Sequence, residues 1–311
     1  MLSRRSVRIK VMQLLFALNR DKDLSYADIN KRYWEYITDT FNCYLFNLYI
    51  IVHIAEGAEE DEKKRKKKHL QNEKDKEFIP KLYTNELIQY LNSNPTLRKK
   101  FEALNFRNFI DKDYFRKIYQ DFAKLPEYSD YVFGDTTAED DLSIILELFR
   151  HCRKNELYNE VCEDNFITWF DDKSIVVGTV KKTLKDLPEE ANNFFEKHYP
   201  DDETVKEFGE NLLAYSVEND NELINMIKPT LKNWDHDRVA IIDMILLKMA
   251  LTEMMHFPTI PTKVTLNEYV EISKMYSTPK SKDFINGILD RLLKELEKAG
   301  KINKEGRGLV S

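Results

Sequence analysis

Apolar residues return with a helical period from Ser3 to Leu18. Val7, Val11, Leu14, Leu15 and Leu18 share one face, and this predicts an amphipathic first helix. At 100° per residue, Arg5, Met12 and Phe16 fall on an adjacent flank, with Arg8 between that flank and the apolar stripe. Tyr26 to Ile54 is dense in aromatics and predicts two helices. Its apolar part, Phe41 to Ile54, is 14 residues long. A bilayer span needs about 20 residues, so a buried core helix is the better reading. Phe78 to Phe122 predicts further helices, broken near Asn94-Pro95. Leu125 to Asp141 is acidic and turn-like, and helices follow over Leu142 to Phe170 and Ile175 to Leu187.

From Glu203 the pattern sharpens. Val205–Val217 predicts one helix and Asn221–Ile227 a short one. Arg238 to Met255 is apolar around most of its circumference, as expected of the enclosed central helix of a bundle, with Asp235 or Asp237 as its cap. Pro258 and Pro261 end it. Thr265 and Glu268 have the spacing of a capping box at the head of the next helix. Thr278-Pro279 supplies an N-cap oxygen and a first-turn proline for the last one, where Phe284, Ile288, Leu292 and Leu296 recur at helical spacing. The chain thus reads as all-α, in two helical bundles. An enlarged N-terminal helical region covers residues 1–200, a C-terminal bundle covers 201–298, and 299–311 forms a flexible tail.

Composition supports long helices: eight Gly and nine Pro punctuate 311 residues. The apolar share of 42% suffices for a sizeable core. With 48 Lys+Arg against 54 Asp+Glu, the net charge of −6 makes any nucleic-acid role a matter of local patches. Cys43, Cys152 and Cys162 imply no disulfide framework and fit a reducing cytoplasm, and the N-terminus lacks a secretory pattern.

Motifs for chemistry are scarce. The scattered glycines form neither a dinucleotide fingerprint nor a phosphate loop, and no two histidines share metal-ligand spacing. His151, Cys152 and Cys162 are the one loosely ligand-like grouping, and zinc sites use closer pairs. No cofactor, metal or catalytic residue is assigned. The basic first helix is the better signal. Arg4, Arg5, Arg8 and Lys10 precede any acidic residue and can neutralise phosphates, while Phe16 can stack on an unpaired base or belong to the core. The last helix start offers a second anion site: outward N–H groups, Lys280, Lys282 and Ser281, with Phe284 one turn in. If the two helices meet, these patches merge into one cradle. The cations of Lys63–Lys68 either bind RNA or are neutralised by Glu59, Glu60, Asp61 and Glu62.

The two ends together resemble the NusB family. The start SRRSVRIKVMQLLFA is similar to that family's arginine-rich opening helix. WDHDRVAIIDMILLKMALTEM resembles its central helix, and IPTKVTLNEYVEISKMYSTPKSKDFINGILDRL its closing pair. The resemblance implies an all-helical fold without enzymatic activity. It implies binding of boxA-type RNA of ribosomal RNA transcripts together with NusE, ribosomal protein S ten, in an antitermination complex on RNA polymerase. Carried over by position, the RNA surface would comprise Arg4, Arg5, Arg8, Phe16, Lys248, Lys280, Ser281 and Phe284. The partner surface would include Lys228, Thr230 and Asp243. Ser6 stands where the family commonly has a third basic residue, and Lys280 and Asp283 exchange the family's usual signs. Residues from about Leu24 to Pro200 replace a much shorter connection. Two other readings compete. One is a helical adaptor in ribosome or RNA maturation that has lost RNA binding. The other is a module fused ahead of a ribosomal RNA cytosine methyltransferase, which would need a domain beyond residue 296.

Overall fold

The computed structural model describes residues 1–189, 191–231 and 239–305, and among them every regular element is helical. Helix α1 spans Arg4–Arg20, and Ser3 caps it by accepting the Ser6 N–H at 3.2 Å. Helix α2 spans Tyr26–Ala55 without interruption. The two helices expected there are one because no Gly or Pro falls within those residues to break them. Helix α3, Gly57–Lys66, takes up the charge block. Its sequence puts acids one turn before bases, and Lys63–Glu59, Arg65–Asp61 and Lys66–Glu62 pair at i,i+4. Arg65 and Lys68 also share the buried Asp75. Much of the cationic run is therefore neutralised locally.

The chain forms two compact units. The first comprises Thr38–Tyr199 with Met1; the second comprises Leu2–Ile37 and the residues from Pro200 onward. Helix α2 contributes its first part, through Ile37, to the second unit and the remainder to the first. A division at residue 200 alone thus misses that α1 and the start of α2 belong with the C-terminal bundle.

In the first unit, α4 (Glu86–Ser93) and α5 (Pro95–Ala103) meet at Asn94, whose side chain caps the Leu97 N–H at 2.9 Å with Pro95 in the first turn. The stretch read as a turn holds a short helix, Pro126–Phe133, started by its own proline. Helices α6 (Ala138–Lys154) and α7 (Trp169–Asp186) close a core rich in aromatic rings, with Phe46 and Tyr49 of the apolar half of α2 packed against Phe106 and Phe166. That half of α2 is core, as its composition requires. Among the described residues no helix is long and apolar enough to cross a membrane. Cys43, Cys152 and Cys162 are buried free thiols, and burial pushes both Cys152 and Cys162 up to about 12. No group of residues suited to a metal ion occurs among those described.

In the second unit a π-helical turn, Glu203–Glu210, runs directly into α8, Asn211–Glu218. Helices α9 (Asp220–Ile227), α10 (Ile241–His256), α11 (Thr262–Tyr276) and α12 (Ser281–Lys298) follow. Helix α10 is the central one: it packs against α1, α8, α9, α11 and α12. The expected caps at Asp235 and Asp237 lie outside the described residues. Two expected starts differ. Helix α11 begins at Thr262, which leaves Thr265 inside it and dissolves the capping box. Thr278 and Pro279 form a turn, and α12 begins at Ser281, whose N–H reaches the Thr278 carbonyl at 2.9 Å. The tail expected from residue 299 is docked through Glu305. Ile302 packs on the core, Lys304 Nζ donates to the Glu253 and Phe257 carbonyls at 3.2 and 2.8 Å, and the Glu305 N–H reaches Pro258. Residues 306–311 lie outside the description.

Gly209 sits where α1, α2 and the π-helical turn meet. A side chain there would overlap the Tyr33 hydroxyl and Val7. Tyr33 cannot yield readily, since its hydroxyl donates to the Val205 carbonyl at 2.6 Å. Gly209→Ala should lower stability by about 1–3 kcal/mol in urea unfolding, as overpacking does; an unchanged midpoint would mean the junction opens without cost.

Candidate nucleic-acid interface

All of the candidate residues lie in the second unit. The arginines of α1 do not stand idle. Arg8 is 2% exposed and makes a two-pronged pair with Glu253 of α10, both bonds at 2.7 Å. Glu253 also accepts from the Thr265 hydroxyl at 2.7 Å and the Tyr269 hydroxyl at 3.1 Å, so four donors satisfy one buried carboxylate. Burial alone would lower the Arg8 pKa; the hydrogen bonds and charge of Glu253 outweigh it and hold the guanidinium above its ordinary value. The ring of Phe208 lies under that guanidinium, 4.9 Å from its centroid. Arg8 is thus an internal tie rather than a surface cation, which corrects its assignment to the RNA surface on physical grounds. Lys10, fully buried, is no surface cation either.

Arg5 pairs with Glu268 through two bonds of 2.7 Å, and Arg4 with Glu203 at 2.7 Å. Both arginines remain accessible at the surface, with side chains 47% and 35% exposed. The residue expected to cap α11 therefore serves α1 instead. The Arg5 hydrogen bond holds Glu268 below the usual carboxylate range.

The helix directions fix where the remaining residues lie. Arg8 meets Glu253 near the end of α10, while Leu15 and Leu18 share a cavity of about 280 Å³ with Ile245 and Lys248 near its start. Hence α1 runs antiparallel to α10. Helix α11 does too, since Tyr269 meets Glu253 and Ser277 meets Asp243. Helices α1 and α11 are therefore parallel. Phe16 lies eleven residues beyond Arg5, about 16 Å along the axis, which brings it level with the turn between α11 and α12. Phe16 is 37% exposed. Lys280 and Lys282 are exposed at that turn. Phe284 is half-buried and lines a surface hollow of about 360 Å³ with Lys280 and Arg291.

A single cradle of Arg8 and Phe284 is not what these helices build. Asp243 and Glu253 mark the two ends, ten residues or about 15 Å apart on α10. The exposed groups instead lie at two levels, with Arg4 and Arg5 toward the Glu253 end of α10 and Lys280 and Phe284 toward the Asp243 end.

Four further assignments meet other duties. Ser281 is buried and donates to Asp243 at 2.7 Å; Asp243 also accepts from Ser277 at 2.6 Å. Asp243 is itself buried, so it fixes the α11–α12 turn and does not present itself to a partner protein. Thr230 is buried with its hydroxyl on the Ile227 carbonyl, while its own carbonyl accepts from Arg291 at 3.2 Å. Lys248 is mostly covered and pairs with Asp220. Lys228 alone of the three partner-surface residues is exposed.

Sequence reasoning did not find the acidic partners. A signal was present: Glu253 is a carboxylate on a helix that is otherwise nearly all apolar, and such a group needs a buried donor. Arg8, flanked by apolar residues on each side, is its counterpart.

A family model described as the NusB family matches residues 174–294. Proteins named Transcription antitermination protein NusB are similar to this chain. The one from Salinibacter ruber is 40% identical over 110 residues, covering 35% of this chain and 69% of that protein. The one from Chloroherpeton thalassium is 40% identical over 106 residues, or 34% and 50% of the two chains. The one from Thermodesulfovibrio yellowstonii is 32% identical over 152 residues, or 49% and 87%. No solved structure matches.

Two outcomes follow from the ion pairs. Arg8→Ala strands a buried carboxylate and should cost about 3–5 kcal/mol, whereas Arg4→Ala should cost within about 1 kcal/mol; equal losses in chemical denaturation would contradict this division. Glu268 has a folded pKa below its unfolded 4.5. Its contribution is therefore complete above that value and is lost as pH falls through the folded one. Arg5→Ala should flatten the acid limb of the stability curve below about pH 4.5, and an unaltered limb would remove Glu268 from the account.

Proposed function

The chain belongs to the NusB family, and we propose that it is a transcription antitermination factor that binds boxA-type RNA together with ribosomal protein S ten (NusE) within an RNA polymerase complex. Similarity to relatives named for antitermination is the observation that carries this reading. It acts by binding, not catalysis. The RNA would follow the exposed groups of α1 and the α12 start. Arg4 and Arg5 would exchange their glutamates for phosphates, Phe16 and Phe284 would take unpaired bases, and Lys280 would hold a further phosphate. Arg8, Ser281 and Lys248 support this surface from within the unit. The partner protein would meet the turn at Lys228, which Thr230 and Arg291 hold in place.

One observation favours the adaptor reading as runner-up: Arg4, Arg5 and Arg8 are all paired with glutamates, so RNA must compete for the outer two. Fluorescence anisotropy with a short boxA-type RNA, with and without the ribosomal partner, over a range of salt separates the two. The antitermination factor should bind, and Arg5→Ala and Lys280→Ala should each reduce the log–log salt slope by about 0.7. Phe16→Ala should weaken binding by about 1–3 kcal/mol with little change in slope. Partner binding with no RNA affinity at low salt would establish the adaptor instead.

A further inference from the structure

The first unit contains a cavity of about 780 Å³, within the range of about 300–1,000 Å³ typical of small-ligand pockets. Every residue that lines it precedes the part matched by the family model, so it stands apart from the antitermination reading. Its floor is aromatic. Tyr49 and His53, one turn apart on α2, have ring centroids 4.1 Å apart, and Phe101 of α5 lies 5.3 Å from Tyr49. Its rim is cationic on one side. Arg98 is exposed on α5. Arg107 is also exposed and is aimed by Asn105, which accepts its Nε–H at 3.3 Å. Neither guanidinium is in an ion pair with a described residue.

The backbone at Asn105 supports this placement. Its φ of 54° lies in the left-handed region that side-chain-bearing residues seldom adopt, Asn more readily than most. That reversal carries the chain from the end of α5 into the turn that holds Arg107. Strained positions of this kind gather at binding sites. Glu102, one turn from Arg98 on α5, is exposed, while Glu56 is engaged by His53 Nδ1 at 2.8 Å.

An apolar ligand would leave both guanidinium groups without a counter-charge, and a bare inorganic anion would leave the aromatic floor uncovered. We infer that the cavity receives a nucleotide, with its base against His53 and the accessible edges of Tyr49 and Phe101, and its phosphate held by Arg98 and Arg107. Glu102 is placed to accept from the ribose hydroxyls. The same chemistry is offered by a free mononucleotide and by an unpaired residue of an RNA strand.

The test uses the full chain and 2-aminopurine riboside 5′-monophosphate, whose emission is quenched on stacking. Saturable quenching is expected, at least tenfold weaker for the riboside lacking phosphate. Arg98→Ala and Arg107→Ala should each weaken binding at least tenfold; both residues are exposed, and an unchanged thermal melt confirms the fold. Competition then identifies the source: displacement at lower concentration by a single-stranded RNA hexamer than by the four mononucleotides indicates a splayed RNA residue, and the reverse a free nucleotide. Absence of saturable quenching up to millimolar probe, or affinity unchanged in Arg98→Glu/Arg107→Glu, overturns the inference.

Discussion

The second unit depends on one buried carboxylate. Glu253 brings α1, α10 and α11 to a single point through Arg8, Thr265 and Tyr269. Removing two charges from water costs several kcal/mol per ion unless each lone pair finds a donor. Here the four donors come from two other helices, two from Arg8 of α1 and one each from Thr265 and Tyr269 of α11, so the geometry that satisfies Glu253 also holds those helices against α10. The parallel course of α1 and α11 follows from it together with the contacts at the Asp243 end, as does the spacing along the axis of the residues in the proposed RNA surface.

The same interaction divides the arginines of α1 into two kinds. Arg8 lies inside, where its charge is saturated and its loss is a stability defect. Arg4 and Arg5 lie outside, where salt and competing phosphates act on their pairs. A surface that already carries glutamates opposite its arginines is electrostatically quiet until a stronger anion arrives. This suits a chain whose net charge is negative and for which any binding of nucleic acid is a matter of local patches.

How much could be read from the sequence depended on the range of each interaction. Asn94-Pro95 marked the break between two helices because cap and proline act within one turn. The enclosed character of α10 was legible because burial on all sides leaves few polar positions. The all-helical class was plain from the scarcity of breakers, although the same scarcity made Tyr26–Ala55 one helix where two were expected. Thr265 and Glu268 had the spacing of a capping box, yet Glu253 and Arg5 claimed them. Local spacing cannot reveal a donor more than 200 residues away. The alternatives left open for Phe16, surface or core, could not be decided by spacing, and the residue is 37% exposed, while Ser281 and Asp243 were drawn inward by each other.

The second unit is assembled from two pieces of chain, residues 2–37 and those from 200 onward, with the first unit lying between them in sequence. Arg8 and Glu253 are 245 residues apart. On a ribosome working at about 5–20 residues per second, α1 emerges roughly 10–50 seconds before its counter-ion exists. During that interval the uninterrupted segment 38–199 is made in full, while α1 has only the start of α2 from its own unit beside it. The ion pair that ties α1 to α10 can therefore close only after the whole intervening unit has been synthesised.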